Sequence, residues 1–321
     1  NLIKFFFLTP WYLLIRPTSF VIFLQKINMP NTQILNCLNR AINKLKESPF
    51  PLKPYQVEGV KWMISQELEA TYKGGILADD PGLGKTIQTA GLLAAVEKSK
   101  TLIIVPGSVI YQWKDTLSKI FGSNSVYVFH GSNKPKTAAG LLQKSFKICI
   151  TSHGSCFRAI SKDIMEQMGN NSLELIKTPL HYMLWDRVII DEAHVIRNKN
   201  TKIHQACIMH RNSFNSMWGL TGTPVQNKEQ DAVNLLTYIG IPAGLANVNV
   251  EQLLQKYLLR RTKQLLVDKK LLIDYQVQNH QLPFKTIEEQ EFYETVQQDA
   301  LQELLNADAK DMDTVSLNML M

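Results

Sequence analysis

Two kinds of apolar run alternate along this chain. Short unbroken runs occur at 74–77, 101–106, 126–129, 147–151, 187–192 and 218–223. Runs of this length without polar alternation suit strands covered on both faces. Between them, apolar residues recur at helical spacing. Ile34, Leu38, Ile42 and Leu45 mark a helix over 31–47, and Val57, Val60, Met63, Ile64 and Leu68 mark one opening at Tyr55-Gln56. Helices are predicted over 85–98, 108–121, 228–239 and 251–258, and a polar one with spaced apolar residues over 287–305. Pro49, Pro51 and Pro54 make a stiff entry to the second helix. Strands alternating with helices predict an α/β fold, a mainly parallel sheet with helices on both faces. Ligands of such sheets sit at the carboxyl ends of the strands. Residues 155–185 are predicted to be a surface excursion.

The first run leads into Asp79-Asp80-Pro81-Gly82-Leu83-Gly84-Lys85-Thr86. Glycines 82 and 84 let backbone approach a ligand closely. Amides near Gly84, Lys85 and Thr86 would face a phosphate at a helix N-terminus. Lys85 would neutralise β- and γ-phosphates, and the Thr86 hydroxyl would hold Mg²⁺. The strict phosphate-loop pattern has glycine where this chain has Asp79, so an ordinary strand–helix turn is the competing reading. Asp191-Glu192-Ala193-His194 ends another apolar run. An acid there suits Mg²⁺, with Glu192 orienting or deprotonating water; a helix N-terminus answering the dipole is the bland alternative. Thr221-Gly222-Thr223-Pro224 ends a third run. Its hydroxyls either relay the state of a nucleotide site or simply cap a turn. Gln56, by its position alone, is a solvated first-turn amide.

Composition adds bounds. With 45% hydrophobic and 20% charged residues, the 321-residue chain is of the globular class. Its net charge of +7 suits a polyanionic partner. Residues 1–28 stand apart, with an apolar stretch broken by Pro10, Arg16 and Pro17. They carry three basic residues and no acids, so the remainder is +4. We expect this leader to be upstream sequence read through, a membrane anchor or docking segment being the lesser reading, and no membrane partner. Cys37, Cys149, Cys156 and Cys207 lack paired spacing and are expected to be reduced in an intracellular protein. His204, Cys207 and His210 are spaced by threes but lack a fourth zinc ligand, so helix residues are the preferred reading.

Taken together, these stretches resemble the SWI/SNF-type DNA-dependent ATPases of helicase superfamily two, from Leu52 to Met321. Residues 52–63 are similar to the Q motif, 75–88 to motif I, 102–113 to motif Ia and 150–153 to motif Ib. Residues 185–198 are similar to the DEAH-box motif II, 220–227 to motif III, and 259–263 with 282–285 to segments leading out of the first lobe. The start of motif I and the Trp-x-Arg-Val before motif II resemble the repair and transcription-termination subgroup. The resemblance implies a RecA-like P-loop lobe over 52–263, after a helix and linker at 29–51, with a helical extension over 264–321. It implies ATP and Mg²⁺ as cofactors. Gln56, Gly82, Leu83, Gly84, Lys85, Thr86 and Ile87 would bind the nucleotide, Lys85, Asp191 and Glu192 would be catalytic, and Thr86 and Asp191 would hold the metal. His194, Thr221, Gly222 and Thr223 would couple the site to a second lobe. Pro106, Ser108, Gln112, Thr151 and Ser152 would touch DNA phosphates; Arg197 and Lys199 could add contacts, a solvated basic turn being their default.

Two departures from the pattern stand out. Pro81 replaces the usual methionine, which removes one amide and implies a modest effect on affinity. We expect no second RecA-like lobe, with its arginine finger, in the residues after Lys263, and hence an incomplete, weakly active motor. The activity implied is ATP hydrolysis driving translocation on double-stranded DNA, naked or carrying nucleosomes or other proteins. An inactive ATP-binding interaction fragment is the alternative. A GTP switch is rejected, because Asn198-Lys199-Asn200-Thr201 and Asn227-Lys228-Glu229-Gln230 lack the aspartate that guanine needs. The location would be the nucleus in a eukaryote, or a viral factory for a virus.

Overall fold

The computed structural model describes residues 32–132, 134–156, 179–198, 201, 204, 214–224, 229–271 and 283–306. The leader, Lys199, Cys207, His210, most of the expected excursion and the end of the chain lie outside them. The chain divides into two units, Asn1–Ile273 and Asp274–Met321.

Among the described residues of the first unit, seven parallel strands form one sheet. They are β1 (Gly74–Leu77), β2 (Thr101–Val105), β3 (Val126–Phe129), β4 (Ile148–Ser152), β5 (Trp185–Asp191), β6 (Phe214–Leu220) and β7 (Leu258–Leu259). Their order is β3-β4-β2-β5-β6-β1-β7. The helices are α1 (Thr32–Lys46), α2 (Pro54–Glu69), α3 (Lys85–Ala95), α4 (Ile110–Phe121), α5 (Ala138–Leu142), α6 (His153–Cys156), α7 (Glu229–Tyr238), α8 (Ala243–Val248), α9 (Val250–Tyr257) and α10 (Lys263–Asp268). The architecture is the α/β, RecA-like one expected. β7 is a departure. Its first residue closes the predicted helix 251–258, but Tyr257 ends α9, and Leu258 and Leu259 pair with Ile76 and Leu77.

Strand residues alternate between two cores, as successive side chains must. Ile76, Leu102, Ile104, Val188 and Ile190 pack under α7 to α9. Leu77, Ile103, Val105, Ile189 and Trp218 pack under α1 to α4. That is why the runs lack polar alternation: both faces are dry. The amphipathic α1 buries Ile34, Cys37, Leu38, Ala41 and Leu45, the face its spacing predicts.

A buried polar knot ties α2 across the sheet. Arg187 donates from Nε and Nη2 to the two Glu67 oxygens, each at 2.5 Å. Ser216 Oγ and Trp218 Nε1 donate to Glu67 Oε1 at 2.7 and 2.8 Å. Burial would raise the Glu67 pKa, but Arg187, through its charge and hydrogen bonds, together with Trp218 and Ser216, holds it below the usual range. The knot sets α2, and hence Gln56 at its start, against the strands that carry Asp191 and Thr221.

The three described cysteines, Cys37, Cys149 and Cys156, are buried and free. Among the described residues no helix is long and apolar enough to cross a membrane, and no group of side chains could hold a metal ion on protein ligands alone. His204 is buried, with Nδ1 2.6 Å from the Ile196 carbonyl. In the second unit, α11 (Ile287–Asn306) occupies the predicted helical stretch.

Candidate functional site

The strand register brings three chemically distinct ends together. Leu220 of β6 lies opposite both Leu77 of β1 and Asp191 of β5. The loop after β1, the acids after β5 and the threonines after β6 therefore share one edge.

The loop is shaped by its glycines. Gly82 and Gly84 have φ of 87° and 78°, conformations that L side chains rarely adopt. Gly84 precedes α3, which begins at Lys85. A Cβ on Gly84 would lie 2.4 Å from Gln56 Nε2, so glycine here also admits that amide. Gln56 is buried. Its Oε1 accepts from the Lys53 amide at 2.9 Å, and its Nε2 donates to the Leu83 carbonyl at 3.1 Å. It is thus no solvated amide: it braces the loop. Lys85 Nζ donates to the Asp79 carbonyl at 2.7 Å, which holds the ammonium at the loop. Leu83 is buried, whereas Thr86 and Ile87 are half-buried.

Asp191 is oriented from two sides. Its Oδ2 accepts from Trp113 Nε1 at 3.0 Å and its Oδ1 from the Glu192 amide at 3.0 Å. Burial pushes its pKa up, only partly offset by the Trp113 bond, with the neighbouring Glu192 charge adding to the rise. His153 Nε2 lies 2.9 Å from the Asp191 carbonyl oxygen, so it carries the proton there; burial keeps this ring's pKa low. Glu192 is left-handed at φ 51° although it is not glycine. Such strain concentrates at functional positions. His194 Nδ1 lies 3.0 Å from Glu192 Oε2, but off the direction of a good hydrogen bond. The His194 ring is the first cause, and Lys85 a further one, of a Glu192 pKa below the usual range.

Thr221 is fully buried. Its amide donates to the Leu77 carbonyl at 3.1 Å, and its Oγ1 accepts from the Thr223 amide at 3.1 Å. A Cβ on Gly222 would meet the Pro81 ring at 3.0 Å. Pro81, read from sequence only as a lost amide, is therefore where the loop after β1 meets the β6 turn.

A family model described as the SNF2-related domain matches residues 55–249, more than half of the chain. The chain belongs to this family.

An ATP-dependent helicase of Schizosaccharomyces pombe is 34% identical over 294 residues, covering 78% of this chain and 27% of its own length. Switch 2 of Arabidopsis thaliana is 34% identical over 203 residues, covering 59% and 21%. The ISWI chromatin-remodeling complex ATPase of Saccharomyces cerevisiae is 30% identical over 210 residues, covering 61% and 17%. The chain thus spans about a quarter or less of these relatives. Among solved structures, the Sulfolobus solfataricus SWI2/SNF2 ATPase core in complex with double-stranded DNA matches with a TM-score of 0.54 and 24% identity. The match covers 85% of this chain and 57% of that one, and it shows the fold.

Within this SNF2 lobe the five predicted DNA-contact residues separate. Ser108 and Gln112 are exposed beyond β2, and Pro106 is half-buried. Thr151 is fully buried, with its hydroxyl donating to the Phe129 carbonyl at 2.9 Å. Ser152 is also buried and donates to Ser155 Oγ at 2.9 Å. These two hydroxyls hold β4 and its following turn. Arg197 is half-buried rather than on a solvated turn. Trp113, His153 and Arg261 carry no role in the sequence reading. Trp113 was visible only as the end of motif Ia, and nothing in its spacing reveals that its ring reaches Asp191.

Proposed function

We propose that this chain is the ATP-binding, DNA-contacting lobe of a DNA-dependent ATPase that translocates on double-stranded DNA. The observation that carries the reading is the junction at Leu220, which sets the phosphate loop beside Asp191 and Glu192 in a lobe of the SNF2 family. In this reading the amides of Gly82 to Ile87 cradle the phosphates at the start of α3. Lys85 turns from the Asp79 carbonyl to the β- and γ-phosphates. Gln56, already seated on the loop, is the contact to the base.

Thr86 and Asp191 supply hard oxygen donors, the set Mg²⁺ prefers, and Asp191 is held for this by Trp113. A bound Mg²⁺ supplies charge neutralisation on the phosphates. Glu192, ionised at neutral pH, orients the attacking water and accepts its proton. Phosphoryl transfer needs such placement more than covalent chemistry. His194 and the Thr221–Thr223 turn touch Glu192 and the loop respectively, so they are placed to report nucleotide state. On DNA, Ser108, Gln112 and Pro106 follow phosphates without reading bases. Duplex DNA, bare or nucleosomal, is the proposed partner, and the nucleus the proposed location in a eukaryote.

The test is Mg·ATP binding and hydrolysis by the chain, with and without duplex DNA, beside Lys85→Ala. The expected outcome is binding weakened about tenfold or more in the variant, the usual scale for losing a charge-assisted contact. Equal binding by both proteins would overturn the reading.

A further inference from the structure

A residue that joins several elements at the phosphate loop lies far from it in sequence. Arg261 follows β7 and is 1% exposed. Its Nε donates to Asp79 Oδ1 at 2.9 Å, and its Nη2 donates to Asp79 Oδ2. Its Nη2 also donates to Gln88 Oε1 at 2.6 Å, and its Nη1 to the Tyr55 carbonyl. Gln88 Nε2 closes the ring on Asp79 Oδ2 at 2.9 Å. Asp79 opens the phosphate loop, and Gln88 sits one helical turn after Lys85. One guanidinium therefore holds both ends of the loop and the start of α2. Gly59 leaves the room, since a Cβ there would lie 1.9 Å from Gln88 Oε1 and 2.7 Å from Arg261 Nη2.

The backbone repeats the link. The Ala78 amide donates to the Leu259 carbonyl at 2.7 Å, and the Asp80 amide to the Arg261 carbonyl at 3.0 Å. The Lys263 amide donates to Asp80 Oδ2 at 3.0 Å. The exposed Lys263 side chain passes beside the loop: a Cβ built on Gly82 would lie 3.8 Å from its Nζ. An anion bound in the loop would draw this ammonium toward it.

We propose that Arg261 is a positioning residue that clasps the phosphate loop to the segment Leu258–Lys263, so that a nucleotide in the loop stiffens that segment and α10 behind it. The inference rests on the nucleotide reading above. A buried fork bonded through Nε and both terminal nitrogens has one geometry, and the loop cannot shift at Asp79 without moving Arg261. Lysine in its place would keep the charge but lose the fork.

The experiment is amide hydrogen exchange on the full chain with and without Mg·ADP, for wild type and Arg261→Lys. In wild type, ADP should slow exchange at 82–88 and also at 261–266, the latter by about fivefold or more, the low end of site-to-site coupling. In Arg261→Lys, ADP should still slow 82–88 but no longer 261–266, and its affinity should fall about fivefold or more. A merely structural role would lower protection everywhere and leave the two segments linked, which overturns the proposal. Slowing at 82–88 alone in wild type also overturns it while leaving the nucleotide reading intact, and this arm needs no variant to fold. No slowing at either segment overturns both.

Discussion

Asp191 shows how a single carboxyl is tuned by what surrounds it. Its pKa is raised mainly by burial. The fold therefore disfavours its ionised form, so its contribution to stability is present at low pH and lost as pH rises through the folded-state value. Metal binding needs the ionised form. We expect Mg·ADP affinity to fall as pH drops through this raised carboxylate range, and Trp113→Phe to move that fall to higher pH by removing a bond that favours the carboxylate. Calorimetric titration against pH reads both. An unchanged profile in the variant would exclude Trp113 as the group that orients Asp191. Thr151 makes a contrasting case. Thr151→Val should cost about 1 kcal/mol for its lost hydrogen bond and leave DNA affinity unchanged, whereas Ser108→Glu with Gln112→Glu should weaken DNA binding. Urea denaturation and DNA titration at fixed salt separate the two effects. A motif records position along a strand end, and only packing decides which side chain turns inward.

At the scale of elements, the Glu67–Arg187 knot joins α2, β5 and β6. Its charges are both buried, so removing one partner leaves the other unpaired. Glu67→Gln or Arg187→Met should cost about 3–5 kcal/mol. The Glu67 pKa is lowered by its partners. Its stabilising share is thus full above the unfolded carboxylate value and disappears as pH falls through the folded one. In denaturation followed against pH, the gap between wild type and Glu67→Gln should narrow on acidification. A gap independent of pH would mean that the charge pair is not its origin. Most elements could be read from the sequence, because runs without alternation and runs of helical spacing carry the fold's two periods. β7 could not. Two residues are too few to show a period, and it is a strand only because Leu258 and Leu259 find the free edge of β1. Gly74 carries the same lesson in reverse. Its φ of 130° and a Cβ that would sit 1.8 Å from the Met217 carbonyl oxygen bar any side chain, yet the sequence shows only one more glycine ahead of an apolar run.

For the whole molecule, the order of apolar runs and the motifs at their ends were enough to place the chain in its family, and the SNF2-related match over 55–249 agrees. The sequence by itself determined the α/β class, the parallel sheet, the loop around Lys85 and the acids at Asp191 and Glu192. The loop and the acids are local patterns of a dozen residues or fewer, and the class and the sheet follow from the order of such patterns along the chain. Tertiary structure alone decided what joins them. Arg261 and Asp79 stand 182 positions apart, Glu67 and Arg187 120, and Trp113 and Asp191 78. A single sequence carries no period or spacing that spans such distances. The pairs exist because the sheet's strand order differs from chain order. β1 is set between β6 and β7, and so a loop early in the chain is bounded by residues from its latter part.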